Sequence, residues 1–353
     1  MEPKILQIGD LPDYCLQQII RTFNQDPIEL PKNAFSTGWQ PHFRSHLNNI
    51  EYVFVRPSAS GILRKKYTKL LKPSCSIVTL SVGTDHIEDS EISVIKPRRS
   101  YNAESTADLA FTLGKELLRP SHRGIEEMKR GIFRNSYFLN SKTTYSMSWG
   151  LLGFGQQAKA MLPHLLGANL KQIVICTPRI NNLRIYEFLK QEFNLNVAPA
   201  GDRYELPTWN TKKTVTLIWT RNFVELCKQS DIVSMHIDSV PETKNYIDRK
   251  KLKHLDGKYL INTSRGDRVV EIDVANSIKN RELAGYAADV INGDAEGSEN
   301  IKDSVIWKMN HDDKDYLYNI ILTPHCGGTV EVTIKQMCDD VFQQLVQLMA
   351  TEV

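Results

Sequence analysis

Nowhere in the 353 residues is there a run of about 18 apolar side chains, the length a helix needs to cross a bilayer. The opening Met1-Glu2-Pro3-Lys4-Ile5-Leu6 has none of the apolar core of a secretory leader. Paired cysteine spacing is also missing. Cys15, Cys75, Cys176, Cys227, Cys326 and Cys338 are scattered, with no C-x-x-C. That argues against a disulfide framework or a zinc site and for reduced thiols in the cytoplasm, with no metal expected. Charge of one sign is lacking too: 44 Lys and Arg stand against 41 Asp and Glu, a net +3. A nucleic-acid partner is disfavoured by so small an excess, and a membrane partner by the missing apolar runs. Internal repeats and low-complexity tracts are absent. What is left is an ordinary globular balance, 41% hydrophobic and 24% charged, in a chain long enough for two domains with separate cores.

Apolar runs and helical patterns alternate along most of the chain. The spacing predicts strands over 3–8, 52–55 and 76–81, and an amphipathic helix over 13–23. Ser105 followed by Asp108 resembles a capping box opening a helix that ends near Leu118, before Arg119-Pro120. A second series then gives strands over 150–152, 172–176, 231–237, 259–262, 284–290 and 320–322, and a helix over 330–349 closes the chain. Strand-then-helix order repeated in this way predicts an α/β protein with mainly parallel sheets. Two stretches are long for connections, 181–222, with a helix at 183–193 and a β-rich piece at 214–219, and 294–318, interrupted by Val305-Ile306-Trp307. Such lengths carry either extra structure or a lid.

Gly150-Leu151-Leu152-Gly153-Phe154-Gly155-Gln156-Gln157-Ala158 is a G-x-G-x-x-A fingerprint placed after a short strand and before a helix. Gly153 permits the tight turn, Gly155 lets backbone approach a pyrophosphate, and Ala158 lets the helix pack on the strand. Free amides at the helix start take the phosphate charge. Pro163, inside that helix, is expected to kink or shorten it. The next strand ends in Thr177-Pro178-Arg179, without the acid that bonds the ribose 2′-hydroxyl of NAD. Arg179 suits a 2′-phosphate instead. The cofactor reading is therefore NADP or NAD, with NADP favoured.

Three blocks further on carry chemistry. Asn262-Thr263-Ser264-Arg265-Gly266 puts an arginine past one buried strand. Ala288-Asp289-Val290 puts a carboxylate at the end of the next, and Thr323-Pro324-His325-Cys326-Gly327 a histidine beyond a third. Carboxyl ends of parallel strands line the ligand crevice, so the three can converge. Taken singly, Arg265 also suits a surface ion pair, Asp289 a loop cap and His325 a satisfied surface histidine.

Together and in this order the blocks resemble the D-isomer-specific 2-hydroxyacid dehydrogenase family. Ser81-Val82-Gly83-Thr84-Asp85 is similar to its V-G-x-D loop, 102–118 to its N-x-x-S-x-A-E helix, and Ser230–His236 with Pro241-Glu242-Thr243 to its middle segment. The resemblance implies two Rossmann-like domains. A cofactor domain (102–323) is inserted into a smaller flavodoxin-like substrate domain (1–101, completed by 324–353), with a cleft between. It implies hydride transfer between NAD(P)H and a small anionic 2-keto or D-2-hydroxy acid, by a homodimer. Arg265 would bind the substrate carboxylate and polarise the carbonyl, and His325 would act as general acid and base. Ser81, Val82, Gly83 and Arg56 would hold the substrate. Cofactor contacts would fall to Thr106, Gly153, Gly155, Gln156, Gln157, Thr177, Pro178, Arg179, Ile237, Thr243, Thr263, Ser264, Asp289 and Gly327. The chemistry agrees: hydride arrival creates an alkoxide, so a cation and a proton donor are needed near one oxygen, and histidine serves both directions near neutral pH.

There are departures from the family pattern. A glutamate usually orients the histidine; here that position is Asp294, one methylene shorter, with Glu296 close by. Cys326 beside His325 is either a thiol that makes activity oxidation-sensitive or a small neutral filler. Arg56 with Ser58-Ala59-Ser60-Gly61 either binds extra anionic oxygens, as a phosphonate or phosphite substrate would require, or forms a surface turn. A dinucleotide-sensing binding protein is the remaining alternative, though sensing alone requires neither Arg265 nor His325.

Overall fold

The computed structural model describes residues 4–30, 49–56, 63, 65–84, 86–88, 91–145, 147–178, 182–193, 203–207, 214–292, 298–313 and 317–351. Two compact units divide the chain. One comprises Met1–Asn102, Gly293–Ile301 and Gly328–Val353, the other Ala103–Asn292 and Lys302–Gly327.

The first unit holds β1 (Lys4–Ile8), α1 (Asp13–Phe23), β2 (Ile28–Leu30), β3 (Ile50–Val55), α2 (Lys65–Thr68), β4 (Ser76–Thr79) and β5 (Ser93–Ile95). Its strands pair in parallel in the order β2-β1-β3-β4-β5, the flavodoxin-like arrangement. Such sheets are covered on both faces, which is why β3 reads Ile-Glu-Tyr-Val-Phe-Val rather than alternating. Cys15, Ile19 and Phe23 recur every four residues and form the buried stripe of α1. That stripe shares a core with Tyr52, Phe54 and the last helix, Glu331–Thr351, through Cys338, Val341, Phe342 and Leu345. The rings of Phe54 and Phe342 stack at 5.7 Å.

The second unit runs α3 (Ala103–Leu118), α4 (Ser121–Lys129), β6 (Ser148–Leu152), α5 (Gln156–Gly167), β7 (Gln172–Cys176), α6 (Asn182–Phe193), β8 (Arg203–Pro207), β9 (Thr214–Thr220), α7 (Phe223–Gln229), β10 (Ile232–Met235), α8 (Arg249–Leu252), β11 (Tyr259–Asn262), α9 (Glu271–Lys279), β12 (Gly285–Ala288), α10 (Val305–Asp312) and β13 (Ile320–Leu322). The sheet order is β13-β12-β11-β10-β6-β7-β9-β8, parallel except for β8. Counted from β6 this is the Rossmann order, reversing between β6 and β10. Every parallel strand therefore delivers its following residue to one edge.

Two details differ from the sequence expectation, and a third fills in a stretch for which it allowed extra structure. The first helix of this unit starts at Ala103, so Ser105 lies within its first turn; Asn102 precedes the helix, and asparagine caps as well as serine. Pro163 does not end α5, which continues to Gly167. The proline is on the exposed side, where water can satisfy the carbonyl that its missing N–H leaves unbonded. The 294–318 stretch is largely helical where described: a 3₁₀ segment (Ser298–Asp303) precedes α10, whose Ser304 cap accepts from the Trp307 amide at 3.1 Å. Among the described residues no helix is long and apolar enough to cross a membrane.

Candidate active site

The strand ends of the second unit assemble from the glycine turn outward. Gly153 has φ +100°, and a Cβ there would stand 2.3 Å from the His236 carbonyl oxygen. Only glycine lets the turn after β6 lie this close to the end of β10. At Gly155, the cap of α5, a Cβ would meet nothing within 4 Å. The space in front of the helix amides is open, and the residues present fit a dinucleotide pyrophosphate. Gln157 turns its side chain to Thr263, donating to Oγ1 at 3.0 Å. On the other side of β6, β7 ends in buried Thr177 and exposed Pro178; Arg179 lies outside the described residues.

A buried polar chain links β6 and β10. Trp149 Nε1 donates to Ser234 Oγ at 2.9 Å, and His236 Nε2 lies 2.9 Å from the same oxygen. Ser234 Oγ in turn bonds the Gly150 carbonyl at 3.4 Å. With the hydroxyl proton spent there, the imidazole carries its proton on Nε2 and leaves Nδ1 bare. Nδ1 is buried with no hydrogen-bond partner. Burial pushes the His236 pKa down to about 3, so the ring is neutral.

Past β11, Asn262 builds the turn that carries Arg265. Its side chain accepts from the Ser264 amide at 3.1 Å and donates to the Arg265 carbonyl at 2.9 Å. Ser264 Oγ ties the turn to the Met235 carbonyl at 2.8 Å. Gly266 is needed for space: a Cβ would stand 2.0 Å from the Ile291 carbonyl oxygen. Arg265 itself is half-buried, Nη1 donating to the Ser264 carbonyl at 2.9 Å. Beyond it, buried Arg268 grips Asp267 and reaches the Val240 carbonyl and Thr243 Oγ1. Arg268 thereby fixes the loop that also holds half-buried Ile237.

Asp289, 2% exposed after β12, organises the loop after β13. One carboxylate oxygen accepts from Thr323 Oγ1 at 2.6 Å and the Cys326 amide at 2.9 Å; the other accepts from the Gly327 amide at 2.8 Å. Consecutive amides gripping an anion make a nest, and here the nest fixes the backbone around His325. His325 has φ +53°, a left-handed conformation uncommon outside glycine. Its side chain is exposed. Thr106 lies against the same loop: a Cβ on Gly327 would be 3.1 Å from Thr106 Cγ2. The Cys326 thiol is pushed up by partial burial and the Asp289 charge, which makes it a poor nucleophile. Arg265 and His325 follow strands on either side of β12, about 10 Å apart by strand spacing before their side chains reach out.

In the first unit, Arg56 follows β3, and Ser81, Val82 and Gly83 follow neighbouring β4. Buried Thr79 and His86 join Oγ1 to Nε2 at 2.9 Å, closing the base of that loop. Asp85, Ser58-Ala59-Ser60-Gly61, Asp294 and Glu296 lie outside the described residues. The Asp289 nest, the Arg268 grip, the Thr79–His86 closure and the Trp149–Ser234–His236 chain are not read from the sequence. Polar residues in apolar strands, such as Ser234 and Asn262, are the available signal. Among the described residues no group of three or more His, Cys, Asp or Glu is placed to hold a metal ion.

A sequence model of the D-isomer specific 2-hydroxyacid dehydrogenase NAD binding domain matches residues 183–327. A D-specific alpha-keto acid dehydrogenase of Enterococcus faecium is 24% identical over 284 residues, 74% of this chain and 74% of that protein. Against other curated relatives the matched stretch spans 23% to 63% of their length. Among solved structures, the NADPH-dependent glyoxylate/hydroxypyruvate reductase of Sinorhizobium meliloti shares the fold with a TM-score of 0.72 at 18% identity, covering 99% of this chain and 95% of that one. The D-lactate dehydrogenase of Aquifex aeolicus does so with a TM-score of 0.71 at 19%, covering 99% and 96%. The glycine turn, the N-T-x-R-G turn and the T-P-H-x-G loop are delivered to one sheet edge, and by these likenesses the chain is similar to the D-isomer specific 2-hydroxyacid dehydrogenases.

Proposed function

We propose that the protein is an oxidoreductase that transfers a hydride between NAD(P)H and a small 2-keto acid, forming the D-2-hydroxy acid. One observation carries the reading: Arg265 and His325 follow β11 and β13 at the same edge as the open glycine turn of β6. The bound nicotinamide supplies or accepts the hydride. Arg265 holds the substrate carboxylate and meets the negative charge that grows on the carbonyl oxygen. His325 gives that oxygen a proton during reduction and removes it during oxidation. Asp294, or Glu296, orients the imidazole. Gly155, Gln156, Gln157, Thr263 and Ser264 hold the dinucleotide, with Ser81, Val82, Gly83 and Arg56 as the substrate's anion-binding residues.

NADP is the favoured cofactor because neither Thr177 nor Pro178 offers a carboxylate to repel a 2′-phosphate, and one fold relative is NADPH-dependent. The enzyme is read as a cytoplasmic homodimer. Its six thiols are free, and exposed Ile125, Met128 and Phe133 leave an apolar surface on α4 and the loop after it. The test offers NADPH and NADH to the purified protein with a panel of 2-keto acids and phosphonates, following cofactor absorbance. Turnover of a keto acid is expected. Dinucleotide binding without turnover on any substrate would replace the enzyme with a sensor.

A further inference from the structure

We infer that Arg221 is a specificity-determining residue for the cofactor, taking the phosphate on the adenosine ribose of a dinucleotide phosphate. The inference rests on the dinucleotide-binding reading above and adds a residue that no motif of the sequence singles out. β9 lies beside β7 in parallel, Cys176 opposite Thr220, and the Thr177 amide donates to the Thr220 carbonyl at 3.1 Å. Arg221, the residue that follows this strand, therefore stands at the edge beside Thr177 and Pro178. In a Rossmann sheet the end of the second strand is where the adenosine ribose is read, and β7 is that strand here.

Nothing described at the end of β7 itself can hold a phosphate's charge. Thr177 is buried with its amide spent on β9, and Pro178 has no N–H. Arg221, on the neighbouring strand's end, carries such a charge. Its side chain is exposed, and its guanidinium lies over the Trp219 ring, 5.2 Å from the centroid. Among the described residues no carboxylate pairs with it. An arginine laid on an indole keeps its N–H fork at the rim while the ring restricts its freedom, so less ordering is left to the moment of binding. The backbone on its far side is fixed as well. The Asn222 amide donates to Thr220 Oγ1 at 3.1 Å, and Asn222 Oδ1 caps α7 by accepting from the Val224 amide at 2.8 Å. A preorganised fork with no competing anion suits a phosphomonoester dianion and gives no advantage to a bare hydroxyl.

The probe pair is adenosine 2′,5′-bisphosphate and adenosine 5′-monophosphate, which differ only in the 2′-phosphate. Both are titrated calorimetrically into the full chain and its R221A and R221K variants. Wild type is expected to prefer the bisphosphate. R221A should weaken it about 10- to 100-fold and leave the monophosphate unchanged, the scale of one or two charge-assisted hydrogen bonds. R221K should fall between, since an ammonium lacks the fork. An unchanged preference in R221A, or an equal loss of both ligands, overturns the role of Arg221 alone. Binding of neither probe nor any dinucleotide to wild type would overturn the dinucleotide reading as well.

Discussion

Buried between the ends of β6 and β10, His236 is neutral because taking a proton there would bury an unpaired charge. Unfolding releases the ring to its ordinary pKa of 6.5, against about 3 in the fold. Between those values the unfolded chain binds the extra proton, so stability from this group is complete above pH 6.5 and is lost as pH falls towards 3. The slope is at most about 1.4 kcal/mol per pH unit. Urea unfolding at several pH values should therefore show a steeper acid loss in wild type than in His236→Asn. Equal slopes would mean that the ring is not held neutral in the fold. Asp289 shows a different residue-scale constraint: its carboxylate is spent on the loop that holds His325 in a left-handed backbone. Geometry at the histidine is thus fixed by a residue on the neighbouring strand.

At the scale of elements, the turn after β11 works because Gly266 passes against the Ile291 carbonyl. Gly266→Ala must push one backbone aside, and a cost of about 1–3 kcal/mol in unfolding free energy is expected. A variant as stable as wild type would show that the two segments separate freely. Much of this level was legible beforehand. The bounds of α1, β7, β11 and β13 agree with the sequence reading, because each is an apolar run or stripe bounded by polar residues. Less legible were β2 and β5, three-residue strands with one buried residue each, and β8, all formed by pairing with a longer neighbour. The strand-end residues of the site follow the same rule. Arg265, Asp289 and His325 could be placed because parallel topology sends strand ends to one edge. The grips of Asp289 and Arg268 could not, since they depend on side-chain directions that only packing sets.

At the scale of the molecule, a flavodoxin-like sheet and a Rossmann sheet are built from interleaved segments of one chain. On the proposed function, the second sheet separates its tasks along one edge. The glycine turn of β6 lies at the reversal point, Arg221 and Thr177 lie to one side, and Arg265, Asp289 and His325 lie to the other. This division predicts that chemistry and cofactor affinity respond to different substitutions. The most direct measurement is the turnover of His325→Ala on an accepted 2-keto acid, with the dinucleotide Kd taken on the same preparation. Turnover should fall by roughly 10²–10⁴ while Kd changes little. Turnover within about threefold of wild type would contradict the account, because proton transfer would then not pass through this imidazole.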